Sequence, residues 1–297
     1  MRIGIDIGGT KTALAAVDAS GAVRASRRFP TPHADYGAAL DALAAATLEL
    51  EREVGERSRV GIGLPGTLSP GGRVLNAFAT PYQGMPLRAD LERRLQRELR
   101  FDNDANCFAL SEVRGGAADG AAVAFGAILG TGAGAGIVVD GRLLRGARAA
   151  AGEWGHNPLP WAQADELPGP ECYCGRRGCI ERYVSGPALC ADHERATGVR
   201  ALPEKIVAGA LAGDAACERS LARYESRLAR ALAHVVNLID PGVIVLGGGL
   251  ARIGRLYASV PALWAPYLYV KGAAPQLLPA AHGDLSGARG AACLWES

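Results

Sequence analysis

The sequence predicts an α/β protein built from two similar lobes. An apolar strand, a glycine-rich turn and a second strand follow one another at residues 2–17, and the same series returns at residues 123–139. Elsewhere, helical apolar spacing alternates with short buried strands, which is the pattern of sheets covered by helices. We expect one lobe at residues 1–115 and the other at residues 116–285. No low-complexity linker separates them, so packed helices that allow hinge motion are expected to join them.

Composition and charge exclude several classes of partner. The 297 residues are 49% hydrophobic and 21% charged, which suits a globular protein with one large core or two modest ones. A formal net charge of +2, without a dense Lys/Arg cluster, argues against nucleic acid. A charge within the first short apolar run fits neither a signal peptide nor a membrane span. We therefore expect no membrane partner and a cytoplasmic location.

The first lobe reads as an antiparallel meander followed by alternating helices and strands. Glycine turns and an Asp/Ser turn separate the opening strands. The predicted strands are residues 2–7, 12–17, 23–29, 60–64 and 99–101, and the predicted helices are residues 36–54, 87–98 and one that begins after Asp104. The strand at 60–64 is expected to join the same sheet through a helical crossover.

The second lobe is predicted to open with the same strand-turn-strand series as the first. Strands are predicted at residues 123–129, 136–139, 143–144 and 243–246. A stretch rich in Gly, Pro and Cys at about 152–186 has no period and is interpreted as an insertion, after which helices run to Asp240.

Three glycine turns that follow buried strands are candidates for nucleotide contacts. Glycine lets the backbone approach a ligand, so that N–H groups can bind phosphate oxygens. The strand before the first turn ends with a carboxylate suited to Mg²⁺, and the third turn would leave room for an adenosine. The candidates are Asp6, Gly8, Gly9, Thr10, Lys11, Thr131, Gly132, Gly247, Gly248 and Gly249. Walker spacing is absent from the first turn. An ordinary hairpin at residues 8–11 and tight helix packing at residues 247–249 remain alternatives.

The run at residues 101–106 places two carboxylates and two amides at the end of a strand. A sugar hydroxyl can give its proton to Asp104 while Asn103 orients it, which is general-base chemistry. Helix N-capping by Asp104 is the alternative. Residues 61–66 match the glycine spacing of a dinucleotide motif, but no helix-forming segment follows them, so Gly66 is assigned to a wall of the sugar pocket.

One imidazole and three thiolates predict a closed tetrahedral Zn²⁺ site of structural type. The candidate ligands are His156, Cys172, Cys174 and Cys179. Free cysteines in an irregular loop are the alternative. Glu153 and Glu181 are adjacent to ligand positions. The zinc site would therefore position their carboxylates so that they can accept sugar hydroxyl protons. For each glutamate, a simple surface position is the alternative.

In these motifs the sequence resembles the ROK family (repressors, open reading frames, kinases) of the actin-like sugar kinase superfamily. The matching segments, in the family's order, are residues 6–11, 103–106, 130–132, 152–156, 172–181 and 246–249. The resemblance covers nearly the whole chain. It implies two ribonuclease-H-like lobes with ATP and sugar in the cleft between them, and a last helix at about 286–297 that packs back onto the first lobe.

Carried over residue by residue, the resemblance makes Asp104 the catalytic base. It implies sugar contacts from Asn103, Glu153, His156 and Glu181, and nucleotide contacts from Gly9, Thr10, Lys11, Thr131 and Gly132. His156 would then serve sugar and zinc through different ring nitrogens. A homodimer is expected from the resemblance alone.

Within the family, residues 152–161 and 172–174 are most similar to bacterial fructokinases, sometimes called manno(fructo)kinases. The resemblance therefore implies ATP-dependent phosphorylation of D-fructose to fructose 6-phosphate. The run at residues 102–112 is shared with N-acetylglucosamine kinases, so N-acetylglucosamine is the alternative acceptor, as are glucose and mannose. Repressors of the family add an N-terminal helix-turn-helix, for which no room precedes Asp6. A non-catalytic sugar-binding module is disfavoured because Asp104 is retained.

Overall fold

The structure is a computed structural model of the chain and describes residues 1–33, 35–69, 71–77 and 80–295. The last two residues of the helix predicted at 286–297 therefore lie outside the described residues. Within the described ranges, no helix is both long enough and apolar enough to cross a membrane.

Strands and helices alternate along most of the chain. The strands are β1 Arg2–Ile7, β2 Lys11–Val17, β3 Val23–Pro30, β4 Arg59–Leu64, β5 Thr67–Leu68, β6 Val74–Leu75, β7 Leu99–Asn103, β8 Val123–Leu129, β9 Ala133–Val139, β10 Arg142–Leu143, β11 Val243–Gly247 and β12 Gln276–Pro279. The α-helices are α1 Tyr36–Val54, α2 Leu87–Leu95, α3 Asp104–Val113, α4 Glu181–Val184, α5 Gly186–Thr197, α6 Pro203–Leu211, α7 Ala215–Ile239, α8 Leu256–Trp264 and α9 Ser286–Cys293.

The chain divides into two compact units, each discontinuous in sequence. Unit 1 comprises Met1–Gly120, Gly136–Ala151 and Ala281–Ser297, and unit 2 comprises Ala121–Ala135 and Gly152–Ala280. The lobe boundaries expected from the sequence, at residues 115 and 285, stay a prediction.

The first sheet has the strand order β3-β2-β1-β4-β7. β1 pairs antiparallel with β2 and parallel with β4, which in turn runs parallel to β7. In this register Asp6 stands beside Gly63, and Leu64 stands beside Asn103. The carboxyl ends of β1, β4 and β7 thus meet at one edge, which is the edge where α/β sheets bind ligands.

Helix α9 lies directly against the backbone of β1 and β4. A Cβ on Gly4 would come within 1.7 Å of a carbonyl oxygen of α9, and a Cβ on Gly61 within 1.9 Å of another. On the helix itself, a Cβ on Gly290 would lie 1.6 Å from a carbonyl oxygen of α3. Only glycine permits backbones to approach so closely. These three positions therefore fix the place of α9 between the sheet and α3.

The second sheet has the strand order β10-β9-β8-β11-β12. β11 runs parallel to both β8 and β12, with Gly247 beside Ile128. The second glycine turn begins at the carboxyl end of β8, and the third begins at the carboxyl end of β11. These two turns of unit 2 are therefore neighbours, because the two strands are adjacent and parallel.

A buried ion-pair network ties the insertion at residues 152–186 to α7. Glu166 accepts hydrogen bonds from Arg227 Nε at 2.9 Å and from Arg230 Nη1 and Nη2 at 2.7 Å each. Arg227 Nη1 also donates to Asp192 of α5 at 2.8 Å. All four side chains are buried, and buried charges require such pairing. The network gives this irregular segment a fixed place on α7.

Candidate active site

The first candidate residues lie where β7 ends and α3 begins. Asn103 caps α3, because its Oδ1 accepts from the N–H groups of Ala105 at 2.9 Å and Asn106 at 3.4 Å. Asp104 is the first residue of the helix, half-buried, and its Oδ1 accepts from the Ala105 N–H at 2.8 Å. The capping role considered for Asp104 thus belongs to Asn103. The Asp104 carboxylate lies at a helix N-terminus, which favours its negative charge.

The Asn103 amide also joins this strand end to the turn after β4. Its Nδ2 donates to the Gly66 carbonyl at 3.0 Å. Gly66 has φ +77°, and a Cβ there would lie 2.0 Å from the Leu75 carbonyl oxygen, so glycine is required. The chain continues from Gly66 into β5 and not into a helix, in agreement with the rejection of a dinucleotide motif. The structure therefore brings Gly66, Asn103 and Asp104 together.

The first glycine turn is a hairpin with a tightly held backbone. The Gly8 N–H donates to the Lys11 carbonyl at 2.9 Å. Thr31 secures the turn, since its Oγ1 donates to the Gly8 carbonyl at 2.8 Å and its N–H donates to the Thr10 carbonyl at 3.0 Å. Thr10 and Lys11 are exposed and Gly9 is half-buried. The hairpin alternative is thus correct for the backbone, and the turn also leaves these three residues accessible to a ligand.

Asp6 stands beside this turn in β1. Its carboxylate faces the start of α9, where a Cβ on Gly287 would lie 2.4 Å from Oδ2. Burial raises the pKa of Asp6 from 3.8 to about 6, and the positive charge of Lys11 offsets part of that rise. A further cation beside the carboxylate would favour its ionised form. An oxygen ligand of this kind suits Mg²⁺.

The second glycine turn, between β8 and β9, is held by Glu181. The Glu181 Oε2 accepts from the Ala133 N–H at 3.0 Å, and a Cβ on Gly132 would lie 2.6 Å from the same oxygen. Glu181 is buried and Thr131 is exposed. The structure thus places a predicted sugar contact, Glu181, directly against a predicted nucleotide turn. Sequence reasoning missed this contact, which joins residues 48 positions apart.

The third glycine turn has two different environments. Gly248 has φ +85°, and a Cβ there would lie 2.4 Å from the Leu129 carbonyl oxygen. Close packing against the end of β8, and not the helix packing considered for this turn, therefore explains Gly248. A Cβ on Gly249 would meet nothing within 4 Å, so Gly249 borders open space. Gly247 is the last residue of β11.

One imidazole and three thiols converge in the insertion. One ligand atom from each of four residues lies within 4.8 Å of all the others, and these residues are His156, Cys172, Cys174 and Cys179. The Sγ atoms of Cys174 and Cys179 are 3.6 Å apart, and Cys172 Sγ lies 3.6 Å from His156 Nδ1. Ligand atoms around a tetrahedral Zn²⁺ are about 3.5 to 3.8 Å apart. The donor set and its spacing therefore fit zinc.

The two ring nitrogens of His156 face different neighbours. Nδ1 faces Cys172, whereas Nε2 lies 3.0 Å from the Tyr173 hydroxyl. A Cβ on Gly155 would lie 1.9 Å from the carbonyl oxygen at the start of β9, so this segment packs against the second glycine turn. Glu153 is exposed. Glu181 and the residue before His156 thus both lie against Ala133 at the beginning of β9.

Sequence reasoning also missed a contact of Asp102, the first carboxylate of the run at the end of β7. Arg145 Nε donates to Asp102 Oδ2 at 2.6 Å. Arg145 belongs to none of the motifs and lies 43 positions from Asp102, so no local pattern indicated it.

Two solved sugar kinases share this fold. The ROK hexokinase from Thermus thermophilus matches with a TM-score of 0.87 and 35% identity over 98% of this chain and 96% of its own. A ROK family glucokinase from Streptomyces griseus, solved with glucose and AMPPNP, gives a TM-score of 0.82 and 30% identity over 99% of this chain and 98% of its own. Fold and similarity together define the class, which is an ATP-dependent sugar kinase with the two-lobed α/β fold of the actin-like superfamily, as predicted.

The family follows from the sequence comparisons. The ROK family model matches residues 2–297, and this chain belongs to the ROK family. The N-acetyl-D-glucosamine kinase of Salmonella paratyphi A is 38% identical over 299 residues, which cover 99% of both chains. None of these three relatives is named a fructokinase. The comparisons therefore do not support the expectation that fructose is the particular acceptor.

Proposed function

We propose that this chain transfers the γ-phosphoryl group of ATP to N-acetyl-D-glucosamine. The observation that carries the proposal is the 38% identity, along the full length, to an N-acetyl-D-glucosamine kinase. D-Fructose is the second candidate, because residues 152–161 resemble fructokinases. Small contacts in the sugar pocket separate such substrates by modest factors, so the acceptor has to be measured.

In the proposed reaction, Asp104 accepts the proton of the attacking sugar hydroxyl. The hydroxyl oxygen then bonds to the γ-phosphorus while the bond to the β–γ bridging oxygen breaks, which yields sugar phosphate and ADP. Asn103 orients the sugar, and its hydrogen bond to the Gly66 carbonyl supports this arrangement. Glu153, His156 and Glu181 are the proposed sugar contacts of unit 2.

The glycine turns are the proposed nucleotide contacts. Backbone N–H groups at Gly9, Thr10, Thr131 and Gly132, together with the Lys11 ammonium, would bind phosphate oxygens. Gly247, Gly248 and Gly249 would border the adenosine. Asp6 would hold Mg²⁺, which neutralises phosphate charge when bound. A cation beside Asp6 would offset the burial that raises the pKa of its carboxylate.

We also propose a structural Zn²⁺ on the four ligands of the insertion. Three thiolates with one imidazole favour zinc over Mg²⁺ or Ca²⁺, which prefer oxygen ligands. Metal analysis of the purified protein should find one zinc per chain, and Cys179→Ser should lose it together with part of the thermal stability. A wild-type protein that contains no zinc and is no more stable than Cys179→Ser would contradict this assignment.

A homodimer and a cytoplasmic location stay predictions. Size-exclusion chromatography with light scattering measures the mass in solution, and a mass of 30.7 kDa would exclude a homodimer.

The decisive experiment measures ADP release with Mg-ATP and, in parallel, N-acetylglucosamine, fructose, glucose and mannose. We expect the highest kcat/KM with N-acetylglucosamine. Asp104→Asn should lower kcat by about 10²- to 10⁴-fold, whereas Asp41→Asn, at an exposed position of α1, should leave kcat unchanged. A preference for fructose would favour the second candidate, and no turnover of any sugar would refute the kinase proposal.

A further inference from the structure

Asp102 is a buried carboxylate that uses both of its oxygens. Its side chain is 7% exposed. Oδ1 accepts from the Asn103 N–H at 2.9 Å and from Asn106 Nδ2 at 2.7 Å. Oδ2 accepts from Arg145 Nε at 2.6 Å. The carboxylate is therefore fixed from three directions.

The two residues that Asp102 binds stand on either side of Asp104 in the chain. Asn103 caps α3 and bonds to the Gly66 carbonyl, and Asn106 lies in the first turn of the helix with its side chain buried. A displacement of the Asp102 carboxylate would therefore move the backbone that carries Asp104. It would also release the Asn106 amide, whose orientation is set by its bond to Asp102.

Arg145 explains how a carboxylate can occupy this position. An unpaired buried charge is costly, and a charge-assisted hydrogen bond from a guanidinium offsets that cost. The Arg145 carbonyl also accepts from the Ala151 N–H at 3.2 Å. The loop that carries Arg145 is thus held at its backbone while the side chain holds Asp102.

We propose that Asp102 is a positioning residue for phosphoryl transfer and that Arg145 keeps its carboxylate in place. Asp102 acts through Asn103 and Asn106, which its carboxylate binds, on the placement of Asp104. The inference rests on the proposed function, because it takes Asp104 as the base. Small misplacements of a catalytic group reduce rate strongly, so the effect should fall on kcat more than on either KM.

The test compares four single variants and one double variant. Asp102→Ala removes all three contacts and should lower kcat by roughly 100-fold, while Asp102→Asn keeps an accepting oxygen and should lower it by roughly 10-fold. Arg145→Met should resemble Asp102→Asn, and Arg145→Lys should recover most of the loss. If Arg145 acts through Asp102, the double variant Asp102→Asn/Arg145→Met should be no slower than Asp102→Asn alone.

The control is Arg142→Met, which removes an exposed arginine of β10 and should leave kcat unchanged. Thermal unfolding of each variant checks that it is folded at the assay temperature. Folded variants of Asp102 and Arg145 with wild-type kcat, or additive losses in the double variant, would overturn the proposal while the wild type remains a kinase. A wild type that phosphorylates no sugar would overturn both this inference and the proposed function.

Discussion

Replacing Asp6 by asparagine should stabilise the folded protein and weaken its response to Mg²⁺. Asp6 is half-buried, and its carboxylate lies in unit 1 against Gly287. Burial raises its pKa from 3.8 to about 6, with Lys11 offsetting part of the rise. At 1.36 kcal/mol for each unit of pKa, the ionised carboxylate costs the folded state about 3 kcal/mol at most. Because the residue as a whole is only half-buried, solvent screening reduces this to about 1–3 kcal/mol.

The sign of the pH dependence follows from the raised pKa. Above pH 6, Asp6 is ionised in both the folded and the unfolded state, and its full cost is present. As the pH falls below 6, the folded state takes up a proton before the unfolded state does, so the cost falls to about half near pH 5 and to about a fifth near pH 4. The advantage of Asp6→Asn in free energy of unfolding should decrease in the same way.

Urea unfolding of the wild type and Asp6→Asn at pH 8 and pH 5 measures this difference, and a titration with Mg²⁺ at pH 8 measures the functional cost. Asp18→Asn is the control of opposite sign, because hydrogen bonds from Ser20 and neighbouring groups lower the pKa of Asp18. An Asp6→Asn protein that is less stable than the wild type, or equally more stable at both pH values, would refute the reasoning. An unchanged Mg²⁺ dependence of kcat would remove Asp6 from the magnesium site.

Three further substitutions test the close packing at Gly132 and the roles of the buried carboxylates Glu166 and Glu112. Gly132→Ala places a Cβ 2.6 Å from a buried carboxylate oxygen and should cost about 1–3 kcal/mol in urea unfolding, whereas Gly130→Ala, with nothing within 4 Å, should be nearly neutral. Burial alone would raise the pKa of Glu166, but hydrogen bonds from two arginines and a backbone N–H lower it from 4.5 to about 2. The stability from Glu166 is thus present above pH 4.5 and lost towards pH 2, so Glu166→Gln should flatten the acid limb of stability against pH. Glu112, 1% exposed, accepts three hydrogen bonds, and Glu112→Ala should cost about 2–4 kcal/mol by calorimetry.

The local sequence pattern was sufficient to predict elements whose structure depends on their own residues. The helix at residues 36–54 and the strand at residues 123–129 have the predicted bounds. The helix predicted at residues 87–98 was too long, because Gln96 adopts a left-handed conformation and ends α2 at Leu95. The strand predicted at residues 136–139 begins earlier, at Ala133. The sequence did not indicate this start, because a run of Gly and Ala shows no alternation of polar and apolar residues.

The candidate site divides in the same way. The four metal-ligating residues were predictable because three of them lie within eight positions of one another. The contacts of Glu181 with the second glycine turn and of Arg145 with Asp102 were not predictable, because each joins distant segments through a single side chain. Such contacts depend on the tertiary fold and leave no spacing in the sequence.

The position of α9 also sets the order in which the chain can fold during synthesis. Gly4 and Gly61, near the start of the chain, receive a helix that the ribosome makes only after residue 285. Every residue of unit 2 emerges before that helix does. One face of the first sheet therefore stays uncovered while unit 2 is synthesised. This favours protection of that face by a chaperone or by transient collapse. A chain truncated at residue 280 and released from the ribosome should accordingly be protease-sensitive in residues 1–120 and resistant in unit 2.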